Sequence, residues 1–179
     1  MLLKSICFSV VSLYLFLRVP MAAGAPPGDA CDLPKDLRSE VATKYPGKKV
    51  VTLADLQDDD RGFFQKDHND SCPGLVKVDF YGDGKPTLAM VLIGNGEGKD
   101  SSVLVVAHWT GAGWKISTLA TGGPTVPVVW SQDPGEYQDV YGQKKIHATE
   151  PVVVFCRYES WAILYAWTGG RVAKIWLQD

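Results

Sequence analysis

The chain has 179 residues, 46% of them hydrophobic, 21% charged and 11% aromatic, with a formal net charge of −2. That composition is too apolar for a disordered chain and too evenly charged for a coiled coil, and it lacks the clustered Lys and Arg of a nucleic-acid groove. One domain of this length can bury a core without extra staples.

Residues 1–25 have the form of a secretory signal peptide. Lys4 supplies the positive start, Ser5 to Leu17 is mostly apolar, and Ala22, Ala23, Gly24 and Ala25 offer small residues for cleavage. A spanning helix needs about 20 apolar residues, and Arg18 and Pro20 close this run earlier. An acylated Cys31 would need an apolar residue where Gly28-Asp29-Ala30 stands. Residues 26–179 then form a single exported β-rich domain, secreted or periplasmic after cleavage. Loss of Lys4 and Arg18 moves its formal charge from −2 to −4.

Cys7 leaves with the leader, so Cys31, Cys72 and Cys156 remain. An odd count in an oxidising compartment implies one disulfide and one spare thiol. Cys156 ends the apolar run Val152-Val153-Val154-Phe155, the setting of a buried, inert thiol. Cys31 and Cys72 lie in polar, loop-like segments. The expected bridge is Cys31–Cys72.

In chain order, Asp32 is placed to cap a helix over Pro34–Lys44, with Leu33, Leu37 and Val41 as its apolar stripe and Pro46-Gly47 as its stop. Lys49–Leu53 reads as a strand. Leu53, Leu56, Phe63 and Phe64 indicate a second, less regular helix, interrupted by Asp58-Asp59-Asp60 and Gly62. Beyond Gly74 the pattern becomes β: Leu75–Phe80, Thr87–Ile93, Ser102–Trp109, Trp114–Leu119, Val126–Trp130, Val152–Arg157, Trp161–Trp167 and Arg171–Leu177. Short hairpin turns follow at Thr110-Gly111-Ala112-Gly113 and Thr168-Gly169-Gly170. Pro127 cannot donate to a ladder, which makes Val126–Trp130 an edge strand. Ser131–Lys145 reads as a long polar loop. The expected fold is α+β, a curved antiparallel β-sheet built from sequential hairpins with one or two short N-terminal helices.

The segment Asp79-Phe80-Tyr81-Gly82-Asp83-Gly84-Lys85-Pro86-Thr87-Leu88-Ala89 resembles the calcium-binding loop of FG-GAP and VCBS-type repeats. The surrounding pattern is similar to that of small exported bacterial proteins of uncharacterised function. The resemblance implies a loop between two strands, with Asp79 and Asp83 at its first and fifth positions as calcium ligands. Tyr81 and Thr87 stand where the third and ninth positions want oxygen donors, and Lys85 adds a positive charge. The other reading of these aspartates is that they accept bonds from backbone amides. A single copy of the motif does not imply a propeller.

Other candidate chemistry is sparse. His68, Asp70 and Cys72 sit close in sequence, but no second cluster completes a zinc set. Asn69-Asp70-Ser71 has the form of an N-glycosylation acceptor, relevant in a eukaryotic secretory pathway. His108 reads as a half-buried residue at a strand end. If one strand ran on unbroken, Arg157, Glu159 and Trp161 would share a face by period two and form a binding platform. The alternative is an ion pair of Arg157 with Glu159 at a hairpin bend, the rings being core. Trp130, leading into the long loop, is a second exposed anchor.

The expected function is therefore that of a non-catalytic binding protein, an inhibitor or immunity-type factor acting on a protein partner in the cell envelope, with Trp130, Arg157, Glu159 and Trp161 as contacts. The alternatives are a cell-wall or polysaccharide hydrolase using Glu159, Asp83 and His108, and a carbohydrate-binding module. Calcium is the only cofactor in view. No membrane span is expected in the mature chain.

Overall fold

The computed structural model describes residues 30–94 and 102–178. The signal-peptide reading of residues 1–25 lies outside them. Helix α1 spans Lys35–Lys44, and strand β1 spans Lys48–Val50. A 3-10 turn over Leu53–Asp55 leads into α2, Asp58–His68. Ten strands follow: β2 Leu75–Val78, β3 Thr87–Gly94, β4 Ser102–Trp109, β5 Trp114–Gly123, β6 Val128–Gln132, β7 Gly135–Gln138, β8 Lys145–Ala148, β9 Val152–Arg157, β10 Trp161–Trp167 and β11 Val172–Gln178.

Every strand pairing is antiparallel, and the class is α+β. The strands do not form one sheet, however. A first sheet runs β1-β3-β4-β5, with β2 following β1 along the same edge of β3. A second runs β11-β10-β9-β6, and β7 pairs only with β8. The division follows from what comes after β5. Pro124 and Pro127 cannot donate to a ladder. Gly122 leaves room for a neighbour, since a Cβ there would sit 2.9 Å from the Phe155 ring and 2.4 Å from Ser102 Oγ. The chain crosses there to the second sheet, where β6 is an edge strand as Pro127 implies.

Alternation assigns the two faces of the first sheet. Leu88, Met90 and Leu92 of β3, with Val103, Val105 and Ala107 of β4, pack on Leu33, Leu37 and Val41. The opposite row, Ala89, Val91, Leu104 and Val106, joins the second sheet in one larger cluster. Both faces of β3 and β4 are covered, which accounts for their unbroken apolar sequence.

Two local readings are corrected. Asp32 does not cap α1, whose N-cap is Pro34; its carboxylate meets Arg38 at 3.0 Å instead. Asp58, Asp59 and Asp60 do not interrupt a helix but form the first turn of α2, where carboxylates complement the helix dipole. The disulfide joins Cys31 to Cys72, with Cα atoms 5.1 Å apart. Cys156 is free and buried, and burial pushes its thiol up to about 12.

Candidate functional site

The residues singled out by sequence fall in separate places. Strand β9 ends at Arg157 and β10 begins at Trp161, so no continuous strand carries Arg157, Glu159 and Trp161 on one face. Glu159 occupies the turn between them with a left-handed φ of 56°. Arg157 lies opposite Trp161 in the ladder. Among the described residues Arg157 and Glu159 form no ion pair. The Trp161 ring packs on Phe155 at 4.9 Å. Trp130 is half-buried against His68, ring centroids 4.9 Å apart. Burial there holds the His68 imidazole below its ordinary value, the Asp67 charge opposing. All six tryptophans are half-buried.

The loop between β2 and β3 carries the densest polar chemistry. Asp79 Oδ2 accepts the Gly84 amide at 3.0 Å, and Asp83 Oδ1 accepts the Lys85 amide at 3.1 Å. Asp83 Oδ2 faces His108 Nε2 at 3.2 Å and Lys85 Nζ at 3.5 Å. On the other side of the ring, His108 Nδ1 lies 3.0 Å from the Thr87 hydroxyl. Desolvation raises the Asp83 carboxyl, but the Lys85 amide and the charges of His108 and Lys85 outweigh it and hold the group below its ordinary value. Tyr81 stands edge-on to His108 at 4.6 Å and to Trp167 at 5.0 Å.

This chain of carboxylate, imidazole and hydroxyl has the members of a nucleophilic relay, but Thr87 is fully buried, and a nucleophile must reach its substrate. The arrangement joins the loop to β4. Glu159 is not part of it: Trp167, at the opposite end of β10, is the residue that reaches Tyr81. Seven residues of strand separate the two ends, about 20 Å. For calcium, Asp83 already faces the Lys85 ammonium and the His108 imidazole, and Asp79 Oδ2 serves a backbone amide. Among the described residues no group of three or more His, Cys, Asp or Glu is arranged to hold a metal ion. No described helix is long and apolar enough to cross a membrane.

The segment read as a loop, Ser131–Lys145, holds the end of β6, all of β7 and the first residue of β8, and β7 and β8 form a hairpin. Its register pairs Glu136 with His147 and Gln138 with Lys145, and Glu136 Oε1 lies 2.5 Å from His147 Nδ1. Ile146 and Ala148 are buried in the main core. Six residues, Asp139 to Lys144, close the hairpin, and their geometry is tightly specified. Asp139 Oδ1 accepts the amides of Gln143 at 2.7 Å and Lys144 at 3.0 Å. The Asp139 amide bonds the Lys144 carbonyl at 2.9 Å, and Gly142 takes a left-handed φ of 70°.

The tip is also tied to the second sheet. The Val140 amide donates to the Trp176 carbonyl at 2.8 Å, and Lys144 Nζ donates to the Lys174 carbonyl. Both acceptors belong to the outer edge of β11, so the tip covers part of an edge that would otherwise invite strand pairing. Val140 and Tyr141 at the tip are 50% and 56% exposed. With Phe63 they are the exposed large hydrophobic residues among those described.

The sequence reading missed this pair because Val140-Tyr141 sits between Asp139 and Gly142-Gln143-Lys144-Lys145, in a segment whose polarity reads as loop. Adjacent Val and Tyr inside such a segment were the available signal. No protein-family model matches the chain, and neither a curated protein nor a solved structure matches it significantly.

Proposed function

We propose that this is a non-catalytic extracytoplasmic binding protein that engages a protein partner through the tip of the β7–β8 hairpin. The observation that supports the reading is the adjacent, exposed pair Val140 and Tyr141 on a turn braced by Asp139, Trp176 and Lys174. Exposing Val and Tyr to water is unfavourable by about 1 to 3 kcal/mol each relative to burial. A turn already fixed in shape offers that gain to a partner without an ordering cost. Tyr is among the residues that anchor interfaces most strongly. The Cys31–Cys72 bridge accords with an oxidising compartment.

The hydrolase reading has weaker support, because Glu159 stands apart from Asp83 and His108. Trp130 and Trp161 remain contacts of second rank, since both are only half-exposed.

The test is site-specific photo-crosslinking from position 141 in the producing cell's envelope. A discrete protein adduct is expected, lost when Val140→Asp is added and retained with Phe63→Asp. Labelling that is diffuse, or insensitive to Val140→Asp, would overturn the reading.

A further inference from the structure

We propose that a second copy of this chain pairs with the outer edge of β5, about a two-fold axis at Ile116, so that the two first sheets become one continuous antiparallel sheet. This surface is distinct from the hairpin tip and does not depend on it.

The outer edges of the two sheets are finished differently. On β11 the tip supplies a backbone donor, the Val140 amide, to the Trp176 carbonyl. Strand β5 is the longest of the fold at ten residues, and it pairs only with β4. Along an antiparallel strand, successive residues direct both backbone groups alternately to one side and the other. The Ile116 carbonyl faces outward, because Lys44 Nζ donates to it at 2.6 Å. The amides and carbonyls of Trp114, Ile116 and Thr118 therefore face outward together, and no described backbone group meets them. The stretch is regular, since the register shifts of β5 fall beyond Thr118. A lysine thus holds the carbonyl that the amide of a further strand would take.

Beside this edge a groove of about 450 Å³ separates β5 from α1, lined by Ser39, Glu40, Thr43 and Lys44 on the helix and by Trp114 and Ile116 on the strand. Asp36 accepts the Trp114 indole N–H at 2.8 Å, Lys44 reaches Ile116, and the Tyr45 hydroxyl lies 2.8 Å from that of Thr118. Helix and strand therefore advance in the same direction, with Ile116 beside the middle of the helix. A two-fold axis at Ile116 reverses both elements. Ile116 then pairs with Ile116 of the second copy, and the incoming amide displaces the Lys44 ammonium from the carbonyl. Glu40 of the second copy is brought to that ammonium, and Glu40 is exposed and has no ion pair among the described residues. Lys115, the one charged residue of β5, comes opposite Ser117 rather than another lysine. A strand with one acid and one base beside its edge is self-complementary, as an isologous interface requires. An unrelated extended peptide would meet the same backbone groups, but it would have to supply both charges in the matching order.

Sedimentation equilibrium of the purified protein, from micromolar to millimolar concentration, is the test. A monomer–dimer equilibrium is expected that weakens as salt is raised. Glu40→Lys and Lys44→Glu are each expected to raise the dissociation constant about tenfold or more, since each sets like charges together at both symmetric contacts. Combined in one chain, the two substitutions restore opposite charges, and the dimer should return. Ile116→Pro removes the amide at the axis while leaving the β4 side of the ladder its donors, and it is expected to abolish the dimer. Val140→Asp with Tyr141→Asp is expected to leave the dimer unchanged. A monomer at every concentration, a dimer indifferent to the charge variants, or a double variant no better than the single ones would overturn the proposal. So would tighter association of Lys44→Glu, which would show the lysine to be a guard that keeps the edge unpaired.

Discussion

Two loops, Asp79–Pro86 and Asp139–Lys144, use the same local device to opposite ends. In each, an aspartate accepts amides from residues further along, and glycines take left-handed conformations: Gly82 and Gly84 in the first, Gly142 in the second. The first loop turns its chemistry inward. Asp83 reaches His108, His108 reaches Thr87, and Tyr81 packs between His108 and Trp167. The second turns its aspartate inward and leaves its apolar residues exposed. Titratable side chains therefore mark where this fold is fastened, whereas the second loop exposes the hydrophobic pair that we propose as the partner contact.

The largest perturbation expected tests whether the tip stands apart from the rest of the fold. The Cys31–Cys72 bridge closes a separation of 41 residues, which in the chain-entropy model stabilises by about 3 to 4 kcal/mol. Cys31→Ser with Cys72→Ser should lower Tm by about 10 °C, at about 2 to 4 °C per kcal/mol for a domain of this size. Below the new melting point, crosslinking from position 141 should persist. Its loss there would mean that the tip depends on the N-terminal region and that the contrast between the loops is false.

A smaller effect compares the loops glycine for glycine. Gly82 and Gly142 have φ of +67° and +70°, so alanine is strained at either position. A Cβ at 142 would approach only Gln138 Nε2, at 3.0 Å, which a flexible side chain can yield. At 82 it would fall 2.3 Å from the Glu150 carboxyl carbon, so Glu150 would have to leave its place. Gly142→Ala should cost about 1 kcal/mol, and Gly82→Ala about 2 kcal/mol, within the range for such strain plus a displaced neighbour. Urea unfolding of the two variants gives the comparison directly. Equal costs would show that the first loop is no more firmly fastened than the second.

How much of this was legible depended on burial. Ser102–Trp109, Val152–Arg157 and Trp161–Trp167 appear in the structure with the bounds read from sequence, because β-branched runs covered on both faces leave little ambiguity. The Cys31–Cys72 pair was legible from the apolar setting of Cys156. Hairpin β7–β8 was not, since its buried residues are only Ile146 and Ala148 and its remaining positions, Tyr137 apart, offer no apolar side chain. The Asp83–His108 contact was equally hidden. It depends on the register that sets Thr87 opposite His108, and register is a property of the pairing rather than of either strand. The premise that one unbroken strand carries Arg157, Glu159 and Trp161 fails for a local reason, the left-handed turn at Glu159, which period-two counting cannot detect.

The fastened loop should also respond to acid. Asp83 is held below its ordinary carboxylate value by the Lys85 amide and by the charges of His108 and Lys85, against desolvation. A carboxyl depressed in the folded state adds stability above its unfolded value, and that stability is lost as pH falls through the folded one. Asp83→Asn should therefore lower Tm near neutrality, and the difference from the parent protein should vanish in acid. A gap unchanged across that range would mean that Asp83 acts through shape alone.

The smallest change in stability is expected where the change in function is greatest. Val140 and Tyr141 are half exposed or more, and bonds from the Val140 backbone, Asp139 and Lys144 set the turn. Val140→Asp with Tyr141→Asp should thus leave Tm within about 2 °C of the parent, the usual range for surface substitutions of about ±0.5 kcal/mol in a domain of this size. Partner crosslinking should disappear all the same. A large loss of Tm would show that the pair braces the hairpin against β11, which would make the tip a second fastened loop. The combination expected, an unchanged fold with lost capture, is the signature of residues whose exposure serves contact with another molecule.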